Sequence, residues 1–206
     1  MANVAGMTIE RELLFTGLGG QGIQLAAKTL AAAAVEEARE VMVFGTYGGS
    51  MRGGTTDAGM IVGSGPLLAP PVVEHAWAAM VMHHHHWEEV RPRLRPGSVL
   101  IVDTGVFRGD LGGHPARIIE MRATAIALER GFPRTSSMIL LGALAAATQL
   151  VKLESLLKVS RDILPSYRAQ FAAANGDAIR FGYESIAAPL VRAWEPDAAN
   201  AQKEAA

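Results

Sequence analysis

The chain has 206 residues, half of them hydrophobic, which is enough for one well-packed domain and too few for two full ones. Its 19 basic and 20 acidic residues nearly cancel, and this balance argues against nucleic acid as a partner. Cysteine is absent, so thiolates of this chain cannot ligate an iron–sulfur cluster or form a redox disulfide.

Membrane and export signals are also missing from the sequence. The longest strongly apolar run, residues 139–151, is too short to span a bilayer. Residues 1–14 lack the basic region followed by an apolar core that a secretory signal needs. We therefore expect a soluble, cytoplasmic protein.

Short apolar runs alternate with helical patterns through the first two thirds of the chain. Helical spacing follows the first run and recurs after the fourth run, over residues 87–94, and after the sixth. This alternation predicts an α/β fold with a Rossmann-like, mainly parallel sheet, helices on both faces and right-handed crossovers. The predicted strands are 13–16, 40–45, 57–63, 78–82, 98–103 and 116–121.

The chain from about residue 135 onward is predicted to be helical. Ser136 and Ser137 are expected to cap the first of three helices. In the third helix one face at helical spacing, formed by Tyr167, Phe171, Ala174, Ala178 and Phe181, continues across Asn175-Gly176, at a cost of roughly 1 kcal/mol for the glycine. We assign residues 1–194 to a single α/β domain and expect residues 195–206, which have no apolar face, to be disordered.

A glycine loop, GLGGQG at 17–22, follows the first predicted strand and opens the first predicted helix. Gly17, Gly19 and Gly22 satisfy the dinucleotide-binding spacing. Such a site also needs a carboxylate at the end of the second strand, where this chain has Phe44-Gly45-Thr46. Two interpretations remain open: backbone N–H groups that bind a phosphate or carboxylate, or glycines that merely allow close packing.

A second glycine-rich loop, TYGGSMRGGTT at 46–56, follows the second predicted strand. It combines four glycines with one aromatic residue, Tyr47, and one fixed positive charge, Arg52. A loop of this composition can lie flat against a partner. In the predicted sheet it shares the carboxyl edge with the first loop and with residues 83–86 and 103–106.

The two glycine motifs at this spacing resemble the gamma subunit, or gamma domain, of the 2-oxoacid:ferredoxin oxidoreductases. That family acts on pyruvate, 2-oxoglutarate, branched-chain 2-oxoacids, indolepyruvate or phenylglyoxylate. The resemblance continues through LRPGSVLIVDTGVF and MILLGALAAATQLV to the late N-x-D-A-I-x-x-G-Y-E segment. The residues that match the two loop motifs are Gly17, Gly19, Gly20, Gln21, Gly22, Tyr47, Gly48, Met51, Arg52, Gly53 and Gly54.

The resemblance implies oxidative decarboxylation of a 2-oxoacid with coenzyme A to acyl-CoA and carbon dioxide. Thiamine diphosphate, magnesium and iron–sulfur clusters of the 4Fe–4S type would lie on partner subunits: thiamine-binding alpha and beta subunits and a ferredoxin-like subunit. This chain would hold no cofactor firmly and would be non-catalytic by itself. Its two glycine loops would order subunit interfaces and approach coenzyme A.

Two alternatives to this interpretation remain: a stand-alone, Rossmann-like nucleotide-binding dehydrogenase, and a purely structural adaptor with an empty glycine loop. Two segments depart from the family pattern, namely the run His83–His86 and Asp103, where asparagine is common. We expect the histidines to form an interface, because four consecutive side chains on a strand end alternate in direction and cannot all ligate one metal. Asp103 closes a buried strand, and no nucleophile or histidine is fixed beside it for catalysis.

Overall fold

The structure is a computed structural model that describes residues 8–47, 55–67, 72–132 and 134–195. The segment 48–54, which holds most of the second glycine loop, lies outside the described residues. So do the predicted disordered tail, apart from Glu195, and the side chain of Tyr47.

Six strands form one sheet in the order β2-β3-β1-β4-β5-β6. Neighbouring strands are parallel from β1 through β4 and β5 to β6, whereas β3 is antiparallel to both β1 and β2. Five strands therefore run one way, and the mainly parallel α/β sheet predicted from the sequence is confirmed. The strands are β1 Glu10–Leu18, β2 Glu40–Tyr47, β3 Thr55–Gly63, β4 Ala76–Val81, β5 Leu94–Asp103 and β6 Arg117–Met121.

One connection differs from the predicted crossovers. The chain passes from β2 to β3 through residues 48–54, and the two strands are antiparallel neighbours. A parallel crossover needs about a dozen residues or more, so a connection of this length can only return the chain in the opposite direction. β2 and β3 are therefore an antiparallel pair at the edge of the sheet.

Helices cover the two faces of the sheet unequally. One face carries a large core to which α1, α3, α4, α5 and α6 contribute. The other face is covered by the single-turn α2, its flanking 3-10 turns and the loops around Trp87 and Phe107. The helices are α1 Ile23–Glu36, α2 Trp87–Val90, α3 Ala123–Glu129, α4 Ser136–Thr148, α5 Leu153–Asp162 and α6 Ala172–Glu184.

Two local predictions about these helices are wrong. The helix expected over 87–94 ends at Val90 and continues as a 3-10 turn, Arg91–Arg93, because Pro92 has no N–H and its ring blocks a longer α-helix. Ser136 and Ser137 do not cap α4. They are its first two residues, both buried, and the position before them is Thr135, whose side chain makes no cap hydrogen bond.

Two glycines let α4 and α6 cross at close range. A Cβ on Gly142 would overlap the carbonyl oxygen of Ile179, and a Cβ on Gly182 would overlap that of Ile139. Each glycine thus lies against the backbone of the other helix, which no larger residue permits. The crossing holds α6 directly over α4, and every residue of α4 is buried.

The helical spacing across Asn175-Gly176 is confirmed, since both residues lie inside α6 and Asn175 is buried. The same spacing placed Tyr167 and Phe171 on the buried face, which is wrong. Both are exposed, by 71% and 41%, because they belong to a 3-10 turn, Ser166–Phe171, whose three-residue period rotates them out of line.

The end of the described chain is held against the start of β1. The buried guanidinium of Arg11 donates from Nε to Ala193 O (2.6 Å) and from Nη2 to Glu195 O (2.6 Å), and it lies 4.8 Å from the ring centroid of Trp77. Trp194 beside it donates to Leu150 O (3.1 Å). No helix among the described residues is long and apolar enough to cross a membrane.

Candidate functional site

The carboxyl edge of the sheet brings the predicted segments together, as far as they are described. Strands β1, β2, β4 and β5 all end at this edge, and β3 begins there. The first glycine loop, the start of the second loop, the histidine run and the turn after Asp103 therefore share one edge. This part of the prediction is confirmed.

Gln21 fills the interior of the first glycine loop. Its Oε1 accepts the N–H of Leu18 (2.6 Å), and its Nε2 donates weakly to Met82 O at the end of β4 (3.4 Å). A Cβ on Gly17 would lie 2.6 Å from that same Oε1. Gly17 is thus glycine because the carboxamide of Gln21 takes the space beside it.

The remaining loop glycines divide into packed and open positions. Gly22 is the N-cap of α1 in the left-handed region (φ 84°), and the Ser137 hydroxyl lies directly against it. Gly20 is also left-handed (φ 97°), but nothing lies within 4 Å of where its Cβ would be. Gly19 and Gly20 are exposed at the tip of the loop. The loop therefore packs through Gly17 and Gly22 and offers bare backbone at Gly19 and Gly20.

Gln24 connects the first loop to the base of the second. Its Nε2 donates to Asp57 O (2.8 Å), and a Cβ on Gly45 would lie 2.9 Å from the same amide. Gly45 and Asp57 lie near the two ends of the β2–β3 connection. The first turn of α1 thus fixes the base of the second loop. Residues Gly48, Met51, Arg52, Gly53 and Gly54 of that loop lie outside the described residues.

Buried oxygens at this edge lack hydrogen-bond partners in the described part of the chain. They are Thr16 Oγ1, Asp57 Oδ1 and Ser137 Oγ. Thr16 and Asp57 lie directly opposite each other in the β1–β3 register. Buried polar groups in native proteins are usually satisfied by protein groups or by ordered water.

The edge is poorly suited to a dinucleotide. The end of β2 offers no carboxylate for ribose hydroxyls, and Gln24 covers Gly45 at the place where one would be needed. Gln21 already occupies one N–H of the loop. Lys28, a candidate for neutralising a bound anion, is exposed on the second turn of α1.

We therefore expect the isolated chain to show no NAD binding in isothermal titration calorimetry at micromolar concentrations. The physical reason is that the end of β2 has no carboxylate to bind the ribose, and that Gln21 already accepts one N–H of the glycine loop. A saturable heat signal for NAD that a Gly20→Lys variant abolishes would contradict this expectation.

The histidine run forms a 3-10 turn, His84–His86, so the predicted strand end is wrong here. His83 caps the turn, accepting the N–H of His85 at Nδ1 (3.2 Å), and its ring stacks on His84 at a centroid distance of 4.2 Å. No group of three or more histidine, cysteine, aspartate or glutamate residues in the described ranges could hold a metal ion. The interface role predicted for the histidines stays a prediction.

Asp103 binds neighbouring loops together. The buried carboxylate accepts from Gly105 N (3.0 Å), Thr124 N (3.1 Å) and Thr124 Oγ1 (2.5 Å). It therefore closes the turn after β5 and satisfies an N–H in the first turn of α3. Both carboxylate oxygens have these partners, so the geometry supports a structural role.

Sequence reasoning missed Gln24 and Ser137. Gln24 lies in the first turn of α1, directly after the glycine loop that the sequence identified, and this position is a usable signal. Ser137 had no such signal, since its contact with Gly22 depends on where α4 docks.

The fold is an α/β domain that carries a glycine loop at the carboxyl edge of its mainly parallel sheet. Residues 12–185 match the pyruvate ferredoxin/flavodoxin oxidoreductase family, and the chain belongs to that family. The chain is 31% identical over 84% of its length to a pyruvate/ketoisovalerate oxidoreductase common subunit gamma of Thermococcus litoralis, of which it covers 95%.

Two further relatives extend the comparison. A 2-oxoglutarate synthase subunit KorC of Methanocaldococcus jannaschii is 26% identical over 79% of this chain and 88% of its own length. The crystal structure of a pyruvate oxidoreductase subunit from Thermotoga maritima superposes with a TM-score of 0.68 at 28% identity, covering 85% of this chain and 96% of that one. The relatives are thus subunits, which does not favour the stand-alone dehydrogenase.

Proposed function

We propose that this chain is the gamma subunit of a multi-subunit 2-oxoacid:acceptor oxidoreductase. The complex converts a 2-oxoacid and coenzyme A to acyl-CoA and carbon dioxide and passes the electrons through iron–sulfur clusters to ferredoxin or NAD. The observation that carries this proposal is the family match over residues 12–185. Relatives named as gamma subunits, matched over nearly their full length, support the subunit role.

The chemistry of the chain supports placing the cofactors on partner subunits. A cysteine-ligated cluster does not fit a chain without cysteine. Thiamine diphosphate would supply the decarboxylation chemistry from the thiamine-binding alpha and beta subunits. In this arrangement the gamma chain orders interfaces with those subunits and with a ferredoxin-like subunit.

The tip of the first loop is the part of this chain that best fits coenzyme A. Gly19 and Gly20 present exposed backbone beside the N-terminus of α1, where N–H groups and the helix dipole favour a phosphate. The loop interior is unsuitable, since Gln21 fills it. We therefore assign any contact with coenzyme A to the Gly19–Gly20 tip and to the second loop with Arg52.

The substrate class is a 2-oxoacid, with the side chain left open. Relatives named for pyruvate and ketoisovalerate and a relative named for 2-oxoglutarate match this chain to similar extents. A subunit whose relatives serve several 2-oxoacids does not itself select among them. The substrate pocket accordingly belongs to the partner subunits.

A matched pair of glycine variants tests the proposed interface. Gly20 and Gly97 are both left-handed (φ 97° and 78°) with open space at Cβ, but Gly97 lies toward the amino end of β5, away from the loop edge. Lysine at either position costs about 1 kcal/mol of backbone strain. We expect Gly20→Lys to lower recovery of the partner subunits in native mass spectrometry at least tenfold and Gly97→Lys to leave it unchanged.

The unsubstituted complex, purified under anaerobic conditions, is the reference for the two glycine variants. A brown assembly with coenzyme A-dependent decarboxylation of a 2-oxoacid is the expected result. A colourless lone chain would overturn the proposed function. Equal recovery of partner subunits with both glycine variants would instead remove the glycine loop from the interface and leave the subunit role intact.

A further inference from the structure

The edge strand β2 has the composition of an interior strand. Residues 41–47 carry no charge, and apolar side chains occupy both faces, with Val41 and Val43 on one and Met42 and Phe44 on the other. Strands that are buried on both faces have this continuous apolar composition. Edge strands are normally protected from pairing with another chain by charged residues, by proline or by being short. The strand is therefore built for a neighbour on each side.

Only one of these neighbours is present among the described residues. β2 pairs with β3 and with no other described strand. Val43 is 41% exposed, and Val41, Met42 and Phe44 are half-buried. Four consecutive apolar side chains thus remain partly uncovered beside an open row of main-chain groups.

The pairing register identifies which main-chain groups face outward. Ile9 and Ser64 lie opposite each other, one position beyond Glu10 and Gly63 in the β1–β3 register. Ser64 N donates to Ile9 O (2.9 Å), so Ile9 and Ser64 form a hydrogen-bonded pair. Because bonded and non-bonded pairs alternate, even-numbered residues of β3 bond to β1 and odd-numbered residues bond to β2. The β2–β3 register then directs the N–H and C=O groups of Val41, Val43 and Gly45 away from the sheet.

The opposite edge of the sheet is protected. β6 has five residues, and its exposed charged residues Arg117 and Glu120 are those expected of an edge strand. Arg117 also donates to the carbonyl oxygen of Leu190 across that edge. The two edges therefore differ, and in the described part of the sheet β2 is the edge that lacks these protections.

We propose that β2 pairs antiparallel with β2 of a second copy of this chain about a two-fold axis, joining two sheets into one. The strand is self-complementary for this pairing, because a two-fold axis at Val43 sets Val43 opposite itself and Val41 opposite Gly45. An axis at Phe44 sets Val43 opposite Gly45 instead, and both registers join outward-facing groups. In both, the two Glu40 side chains lie at opposite ends, so like charges do not meet.

This pairing closes after two copies. An isologous contact uses the same surface of both chains, and the charged β6 edges remain at the two ends of the combined sheet. A dimer is therefore the product, and a growing filament is not. The pairing stands apart from the proposed oxidoreductase role and does not depend on it.

Light scattering on the full chain after size exclusion tests the pairing. We expect the parent to have the mass of a dimer and Val43→Pro to have half that mass. Proline at 43 removes an N–H that the single chain does not use, at an edge position where its ring is tolerated. A monomeric parent, including one that assembles only with other subunits, would overturn the pairing.

Two further variants separate strand pairing from unfolding and from general surface effects. Val43→Lys places a charge among the apolar side chains of the edge and is expected to give a folded monomer, which decides the matter if circular dichroism shows Val43→Pro to be unfolded. Leu128→Lys alters an equally apolar exposed position on α3, 59% exposed, and is expected to remain dimeric. A folded Val43→Lys variant with the dimer mass would contradict the pairing.

Discussion

Replacing Gly182 with alanine is expected to lower the free energy of unfolding by about 3 kcal/mol, the upper part of the usual range for overpacking a core. The new methyl group would overlap the backbone carbonyl of Ile139 in α4, and a main-chain atom in a buried helix cannot rotate away. α6 must therefore shift outward along its whole length. Urea unfolding followed by circular dichroism measures the loss.

Gly176→Ala is the matched control in the same helix. Its nearest neighbour would be a methyl group of Leu157 at 3.8 Å, an ordinary contact. Alanine there should raise stability by about 0.5 to 1 kcal/mol, because it is the better helix former. If Gly182→Ala and Gly176→Ala unfold at the same urea concentration, the close crossing of α4 and α6 is not present in solution.

Asp103→Ala is expected to cost about 3 kcal/mol, because hydrogen bonds to a buried charged group are worth more than neutral ones. The substitution leaves the N–H groups of Gly105 and Thr124 without their acceptor and frees the first turn of α3. Asp103→Asn, which keeps one acceptor oxygen, should lose about half as much. Hydrogen exchange of α3 amides should accelerate in step with the loss of stability.

Asp110→Ala controls for the loss of a carboxylate in a loop. Asp110 also accepts a backbone N–H two residues later, from Gly112 (2.7 Å), but it is exposed to water. Its replacement should cost at most about 1 kcal/mol. A similar cost for Asp103→Ala and Asp110→Ala would mean that burial adds nothing to the contacts of Asp103.

The six strands could be predicted because each is a short apolar run bounded by glycine, proline or charged residues. Five of them also run in the predicted common direction. The reversal of β3 was within reach of the sequence, since the connection at 48–54 is too short for a crossover. The glycine content of this connection suggested a binding role, but its length was more informative because it excludes a parallel crossover.

Boundaries and side-chain contacts were harder to predict. The start of α4 could not be fixed from Ser136 and Ser137, because residues that favour caps also occur in buried first turns when packing demands small side chains. Tyr167 and Phe171 followed helical spacing in the sequence, yet a 3-10 turn rotated them into solvent. Local periodicity does not reveal a change of helix type.

The candidate site was half predictable. The glycine spacing identified the loop, and the missing carboxylate after β2 argued against a dinucleotide, which stays a prediction. Which loop residues pack and which are exposed could not be predicted, because the contact of Gln21 with Met82 depends on where β4 lies in the sheet. Close packing occurs at Gly17 and Gly22, whereas anion binding by the backbone N–H groups of the loop stays a prediction.

The hydrogen bonds from Arg11 to Ala193 and Glu195 fix the position of the last described residues. Arg11 lies near the amino end of β1, so Glu195 is at the side of the sheet away from Gly19 and Gly20. A fluorophore attached at Glu195 would therefore lie at the end of the sheet opposite Gly19 and Gly20. Fluorescence assays can label that position and leave the glycine edge accessible to partner subunits.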